Sequence, residues 1–240
     1  LKHMDITRAD VWLKEFEGYK KTGDFPNLSI ISLPNDHLAG TSPGFPTPKA
    51  MMADNDLALG RIVDAISHSR FWPNTLIMVI EDDTQDGFDH VDTHRTPALL
   101  ISPYVKRKAV DNTHYSTVSL IRTAGVLLGL KPMSQFDAAA ITMERSFTRK
   151  PDFTPYAHVV PAQDLYEMNP ALVTLQGEQR KLAERSMKLN LAEVDAADMH
   201  EYNDILWKAI KGAQPIPRLV QRQREPGIRE VLLLSRRDNK

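Results

Sequence analysis

Acidic side chains and histidines crowd into one stretch of this sequence, residues 81–95. Its members are Glu81, Asp82, Asp83, Asp86, Asp89, His90, Asp92, His94 and, at its end, Arg95. Carboxylates that lie close together repel one another, and a bound divalent cation relieves that repulsion. Oxygen and imidazole ligands suit Zn²⁺, Mn²⁺, Mg²⁺, Ca²⁺ or iron. The stretch therefore predicts a metal site, at which a phosphoryl oxygen could be held and a nucleophile activated.

A smaller group of the same kind, Asp36-His37, comes shortly after the apolar run LSIISL at residues 28–33. The longer acidic stretch likewise follows an apolar run, LIMVI at residues 76–80. Short apolar runs of this length favour strands that are buried on both faces of a sheet. Each group of polar residues is therefore predicted to stand at the end of a strand.

The order of the predicted elements indicates how these two groups are positioned. Apolar periodicity and end signals predict helices over residues 5–22, 48–69, 116–128 and about 198–211, and a third strand over 98–101. Strands that alternate with helices are typical of a parallel sheet covered by helices, an α/β fold. Loops that follow parallel strands leave the sheet at one edge, where such folds bind ligands. We therefore expect both groups to converge on one edge.

The character of the chain changes after Leu130. Residues 131–165 are rich in proline and irregular. Asn169-Pro170 is typical of a helix start, and the leucines that follow it recur at helical spacing. These features predict an α/β domain over residues 1–145, followed by an irregular segment and a helical C-terminal extension over residues 146–240.

Composition excludes several classes of function. The 240 residues carry a formal net charge of −1, so no overall field draws the protein toward nucleic acid or an anionic membrane. The chain has no cysteine, which excludes disulfides, thiolate metal sites and a cysteine nucleophile. No run approaches the roughly 18 apolar residues that a transmembrane helix needs. The sequence starts with Leu1 instead of methionine, and no apolar signal region follows. We therefore expect a fragment of a longer protein.

The residues alone leave several roles open. A protonated His37 or His90 could add positive charge or act as a general acid. Arg95 could bind a phosphate or form a structural ion pair with the carboxylates. An acidic loop can also be merely solvated, and this is the interpretation we prefer for Asp86 and Asp92.

Four segments of the sequence resemble a known family: LPNDHLAGTSPGFPTP, ADNDLALGRIV, EDDTQDGFDHVDTHRTPALLISPYV and YSTVSLIRT. They resemble the phosphoesterase family of phospholipase C-type and acid phosphatase-type enzymes, within the alkaline phosphatase superfamily. These segments are most similar to bacterial alkaline-phosphatase-like proteins whose hydrolase domain follows an N-terminal β-propeller. The resemblance implies a partial alkaline-phosphatase-like parallel sheet, a phosphate-ester substrate and a divalent metal. It also favours a periplasmic or secreted protein.

The resemblance implies roles for the residues that match the family's motifs. It implies that Asp36 and His37 are the family's NDH metal- or phosphate-binding pair, that Asp82, Asp83 and His94 bind metal, and that His90 belongs to its DHV element. We accordingly expect Asp36, Asp82, Asp83 and His94 to be metal ligands and His37 and His90 to be catalytic residues. From its own chemistry and position we expect Arg95 to contact the substrate. In this superfamily the Ser or Thr nucleophile lies in an N-terminal half that has no matching segment here. We therefore expect a truncated hydrolase that lacks its nucleophile.

Two alternatives stay open beside the phosphatase or phosphodiesterase. A sulfatase or a phosphomutase of the same superfamily would share the metal ligands and change the reaction. A non-catalytic fragment could retain the metal site as a metal-binding or interaction domain. None of these alternatives involves nucleic acid, and the acids among the arginines of the C-terminal tail agree with that.

Overall fold

The computed structural model describes residues 3–81, 96–193 and 196–216. The chain forms two compact units. The first consists of Leu1–His37 and Met51–Leu165, and the second of Leu38–Ala50 and Tyr166–Lys240. The domain boundary predicted at residue 145 stays a prediction; in the structure, residues 146–165 belong to the first unit. No helix in the described ranges is long and apolar enough to cross a membrane.

Two long helices form the core of the first unit. Helix α1 spans Asp5–Thr22, with the predicted bounds, and ends at Gly23, whose left-handed φ of 85° suits glycine. Helix α2 spans Pro48–Ser67, close to the predicted range. Ala9 and Phe16 of α1 pack with Ala58, Ile62 and Ile66 of α2 and with Trp72 in a solvent-free cluster. Burial of this cluster holds the two helices against each other.

A two-stranded sheet packs beside these helices. Strand β1 is Ile77–Ile80 and strand β2 is Ala98–Ile101, both close to their predicted positions. They pair antiparallel, with Ile77 opposite Ile101 and Ile80 opposite Ala98. The protein is thus a mixed α/β structure, but the predicted parallel sheet is not confirmed. Periodicity locates strands without reporting their direction, which depends on the backbone groups that pair between them.

The strand predicted at residues 28–33 is wrong for the described structure. The segment has no strand pairing, and Leu28 and Ile30 are exposed, Ile30 by 90%. An apolar run becomes a buried strand only if neighbouring strands form hydrogen bonds with its N–H and C=O groups. Within the described ranges, β1 and β2 pair with each other and not with this segment.

The first unit also contains helix α3, Thr117–Leu127, helix α4, Gln135–Ala139, short 3-10 helices at Pro34–His37, Trp72–Asn74 and Glu144–Ser146, and an irregular segment. That segment, residues 152–158, lies across the end of α2 and is called the strap below. Tyr156 N donates to Ser67 Oγ at 3.0 Å, and Trp72 Nε1 donates to the Phe153 carbonyl at 3.2 Å. The strap is therefore attached through backbone groups, which the sequence pattern does not reveal.

The strap ends on Asp64 of α2. The His158 backbone N–H donates to Asp64 Oδ2 at 3.0 Å, and the His158 ring nitrogen Nδ1 lies 2.6 Å from the same oxygen. His68 Nδ1 lies 2.9 Å from Asp64 Oδ1. The hydrogen bond from the His158 backbone, followed by the contacts of the two imidazoles, lowers the pKa of Asp64 against the opposing effect of its partial burial.

We expect this attachment to make the stability of the first unit sensitive to acid. Because the folded pKa of Asp64 lies below its unfolded value of about 3.9, its contribution is present above that value and lost as pH falls through the folded pKa. The side chain is partly exposed, so the contribution should be at most about 1 kcal/mol. The free energy of unfolding in urea should be higher for wild type than for Asp64→Asn at pH 6, and this difference should shrink at pH 2.5. A constant difference between the two proteins would contradict this.

The second unit contains helices α5, Gly177–Ser186, and α6, Met199–Lys211. Helix α6 agrees with its prediction, whereas Asn169 caps no helix. Its side-chain nitrogen instead lies within 3.0–3.2 Å of the carbonyl oxygens of Gly40, Ser42 and Pro46. An amide side chain can serve a distant loop as well as a helix end, and local sequence does not tell which.

Candidate active site

Asp36 and His37 lie together on a short 3-10 helix, Pro34–His37. Proline at its first position presets the backbone for such a turn. Asp36 is half-buried, and His37 is exposed. The next residue, Leu38, has a φ of 63°, the left-handed region that a branched side chain rarely adopts. The turn therefore carries a carboxylate and an imidazole at consecutive positions and is followed by a residue in a strained left-handed conformation.

The residue that precedes this pair, Asn35, belongs to a buried polar cluster. The cluster consists of Asp5, Asn35, Asp54 and Asn55, and it is called the Asn35 cluster below. Asn35 is 3% exposed, Asp5 0% and Asp54 1%. Buried carboxylates are tolerated only where donors satisfy them, so the donors of this cluster define it.

Asp54 of α2 receives three donors. The backbone N–H groups of Asp5 and Ile6 donate to its two carboxylate oxygens at 2.6 and 3.1 Å. Asn35 Nδ2 donates to Oδ2 at 2.7 Å. Met4, at the N-cap position of α1, makes no side-chain cap, so Asp54 satisfies the first-turn donors of a helix other than its own.

Asp5 receives the remaining donors of the Asn35 cluster. Its Oδ2 accepts from the Asn35 backbone N–H at 2.9 Å and from Asn55 Nδ2 at 3.0 Å. Its Oδ1 accepts from Arg8 Nη1 at 3.0 Å. Among the described residues, Arg8 is the one positively charged side chain in contact with the Asp5 carboxylate. Every oxygen of the two carboxylates is thus hydrogen-bonded, as buried carboxylates require.

One atom of the cluster is left over. Asn35 Oδ1 is buried and has no hydrogen-bond partner among the described residues. An unsatisfied buried acceptor costs about 1–3 kcal/mol. Asn35 Oδ1 thus stays without a partner, whereas the backbone N–H and the side-chain N–H of Asn35 donate to Asp5 and Asp54.

Sequence reasoning missed the Asn35 cluster, although one signal was present. Asp54 falls in the buried row of α2, between Met51 and Ala58 and in line with Ile62. A carboxylate at a core-facing position of a helix must find donors from another element. That anomaly in an otherwise apolar row could have identified Asp54 as a structural acceptor.

The other predicted site residues lie outside the described residues: Asp82, Asp83, His90, His94 and Arg95. Glu81, directly after β1, is half-buried. The register places Ile80 opposite Ala98, so the end of β1 and the start of β2 lie side by side at one end of the sheet. The expected meeting of residues 82–95 with Asp36 rested on a parallel sheet, and that step is not confirmed. The meeting itself stays a prediction.

The family of the chain follows from its match to a family model. The model of the Phosphoesterase family matches residues 2–131, more than half of the sequence. The chain belongs to the phosphoesterase family. No curated protein and no solved structure matches it.

The phosphoesterase match contains every candidate site residue, from Asp36 to Arg95. It also contains α1, both strands, α3 and the whole Asn35 cluster, whereas α5 and α6 follow it. Within the described part of this phosphoesterase, no three His, Asp or Glu side chains are grouped to hold a metal ion. Asp36 and His37 are two donors of the right chemistry for such a site.

Proposed function

We propose that this chain carries the metal-binding part of a phosphate-ester hydrolase, a phosphatase or a phosphodiesterase of the phospholipase C type. The observation that supports the proposal is membership of the phosphoesterase family over residues 2–131. The acidic and histidine-bearing composition of that region is consistent with ester hydrolysis at a metal. The net charge of −1 gives no support to a nucleic-acid substrate.

The proposed ligands of a divalent cation are Asp36, Asp82, Asp83 and His94. Three carboxylates and an imidazole fit Zn²⁺, Mn²⁺, Mg²⁺, Ca²⁺ or iron, so the proposal is for this class of cation. When bound, such a cation holds a phosphoryl oxygen and stabilises the charge of the leaving oxygen. Asp36 contributes from a turn in which its neighbour Asn35 is attached to Asp5 and Asp54 of the Asn35 cluster.

The antiparallel hairpin supports the grouping of the other ligands. Asp82 and Asp83 follow β1 closely in sequence, and His94 closely precedes β2. Each residue adds at most about 3.6 Å of reach, so short connections keep these residues near the strand ends. Since the register places those ends side by side, the hairpin favours one shared site over two separate ones.

The remaining roles concern the substrate. We assign His37 and His90 to proton transfer at the leaving oxygen or to charge on the phosphate, since an imidazole serves both near neutral pH. The guanidinium of Arg95 suits two-point hydrogen bonding to phosphate oxygens. The proposal assigns no nucleophile within residues 1–240.

The proposal includes an alkaline-phosphatase-like sheet in the complete enzyme, as in proteins with an N-terminal β-propeller. The exposed apolar run at residues 28–33 supports it, because apolar surface of this kind usually marks a contact. Strands from additional sequence would cover the run, and that sequence would bring the nucleophile.

Metal titration of the purified 240-residue chain tests this proposal. We expect Mn²⁺ or Zn²⁺ to bind, and inorganic phosphate to tighten that binding, because a phosphoryl oxygen completes the coordination shell. Calorimetry with and without phosphate measures both effects. Absence of saturable binding by any of the five cation types would overturn the proposal.

Turnover distinguishes the alternatives. p-Nitrophenyl phosphate, bis(p-nitrophenyl) phosphate and p-nitrophenyl sulfate, each with added metal, should be offered to the chain alone and to a version extended by its upstream coding sequence. Hydrolysis of a phosphate ester by the extended version supports the proposal. Preference for the sulfate favours a sulfatase, and metal binding without turnover in either version favours a non-catalytic metal-binding domain.

A further inference from the structure

Asn35 is attached to two helices at once. Its backbone N–H donates to Asp5, the first residue of α1, at 2.9 Å, and its side-chain nitrogen donates to Asp54 of α2 at 2.7 Å. The two helices are packed against each other through the core of the first unit. Both the backbone and the side chain of Asn35 are therefore attached to the helix pair that forms the core of that unit.

The chain on the other side of Pro34 is held by the same cluster. Asn55 Nδ2 donates to the Leu33 carbonyl at 2.7 Å and to Asp5 Oδ2 at 3.0 Å. Pro34 itself has a restricted φ. Three consecutive residues are thus constrained immediately before Asp36 and His37, which complete the same 3-10 helix.

The residue that follows the turn is constrained as well. Leu38 is buried and adopts a left-handed φ of 63°. A leucine persists in this conformation only where the surrounding structure determines it, and such residues concentrate near functional sites. The Asn35 cluster fixes the entry to the turn, and Leu38 marks a constrained exit.

We infer that Asp5 and Asp54 are positioning residues: through Asn35 they set the orientation of Asp36 and His37 toward a divalent cation and its phosphate. This inference rests on the proposed function, in which Asp36 is a ligand. Neither Asp5 nor Asp54 contacts the cation, because their oxygens are occupied by the donors of the cluster. Residues that orient metal ligands by hydrogen bonds set metal affinity without touching the metal.

Asp54→Asn tests the inference with little change in shape. The amide keeps one acceptor oxygen for donors that two carboxylate oxygens serve in wild type, and its own NH2 group then faces one of those donors, so the attachment of Asn35 is weakened. We expect Mn²⁺ affinity to fall by about 10- to 100-fold, as is typical when an orienting residue is removed. Amide hydrogen exchange at residues 35–37, followed by NMR without metal, should become faster in the same variant.

Asp137→Asn is the matched control. Asp137 is also a buried carboxylate of the first unit and accepts from the backbone N–H groups of Met133 and Ser134, at 2.9 and 2.7 Å, at the start of α4. The same isosteric change there destabilises the unit without touching the Asn35 cluster. We expect Mn²⁺ affinity and exchange at residues 35–37 to stay at their wild-type values in this variant. If Asp54 acted only by stabilising the fold, Asp137→Asn would instead lower Mn²⁺ affinity as Asp54→Asn does.

A second variant applies if Asp54→Asn does not fold. Asn35→Ala keeps the backbone donor to Asp5 and removes only the side-chain link, together with its unsatisfied oxygen. It should fold and still lose Mn²⁺ affinity. A folded Asp54→Asn or Asn35→Ala with wild-type affinity and exchange would overturn the inference. Wild-type protein that binds none of the five cation types would overturn the proposed function instead, and the exchange measurement would then report only whether Asp54 restrains residues 35–37.

Discussion

Replacement of Asp82 and Asp83 together by asparagine is expected to abolish divalent cation binding by the chain. Two of the four proposed ligands would lose their charge while keeping their size, and neutral amides bind these cations far more weakly than carboxylates. The loss should exceed about 100-fold, the upper range for residues that only orient ligands. Calorimetric titration with Mn²⁺ and metal content by mass spectrometry measure it.

The same loop provides a control for charge. Asp86→Asn with Asp92→Asn removes an equal charge from the stretch of residues 81–95, at positions predicted to be solvated. Binding by this variant should stay within about threefold of wild type, as expected for weakly interacting surface charges. Equal losses in both double variants would indicate a general electrostatic effect. Unchanged metal stoichiometry in the variant of Asp82 and Asp83 would rule out the assigned site.

Phe16→Ala should have the largest effect on stability among single changes in the first unit. Phe16 is 0% exposed, stacks on Trp12 with ring centroids 5.0 Å apart and meets Phe25 edge-on at 5.2 Å. Removal of a buried phenyl ring loses transfer free energy and leaves a cavity between α1 and α2. The free energy of unfolding should fall by about 3–5 kcal/mol. Urea denaturation followed by tryptophan fluorescence gives the value.

An exposed phenylalanine of the same unit provides the comparison. Phe136 on α4 is 70% exposed, so Phe136→Ala should change the free energy of unfolding by no more than about 0.5 kcal/mol. A loss below about 1 kcal/mol for Phe16→Ala would be inconsistent with a packed core between α1 and α2.

The helices of this protein were predictable because their signals are local. The bounds of α1 follow from a run of helix formers closed by Gly23, and α2 follows from an apolar row with a period of 3.6. Strands β1 and β2 were found from apolar runs between breaking residues. Each of these features depends on residues within a few positions of one another.

The pairing of the strands was not predictable in the same way. The direction of β1 against β2 depends on which of their backbone groups form hydrogen bonds, and these groups are far apart in sequence. The run at residues 28–33 has the composition of a buried strand and is exposed, because a strand needs a partner that its own residues cannot specify. Asn169 shows the same limit, since its side chain serves the loop of residues 40–46 instead of a helix.

For the candidate site, too, sequence and tertiary structure determined different features. The sequence alone determined the chemistry: carboxylates and imidazoles in two groups, no thiol, and the motifs of a phosphoesterase. Only the tertiary structure showed that Asp5 and Asp54 hold Asn35, next to Asp36 and His37, and that the end of β1 and the start of β2, which flank the acidic stretch in sequence, are paired antiparallel. Residue type sets which bonds a side chain can form, whereas the partner that forms them comes from distant sequence and is chosen by packing.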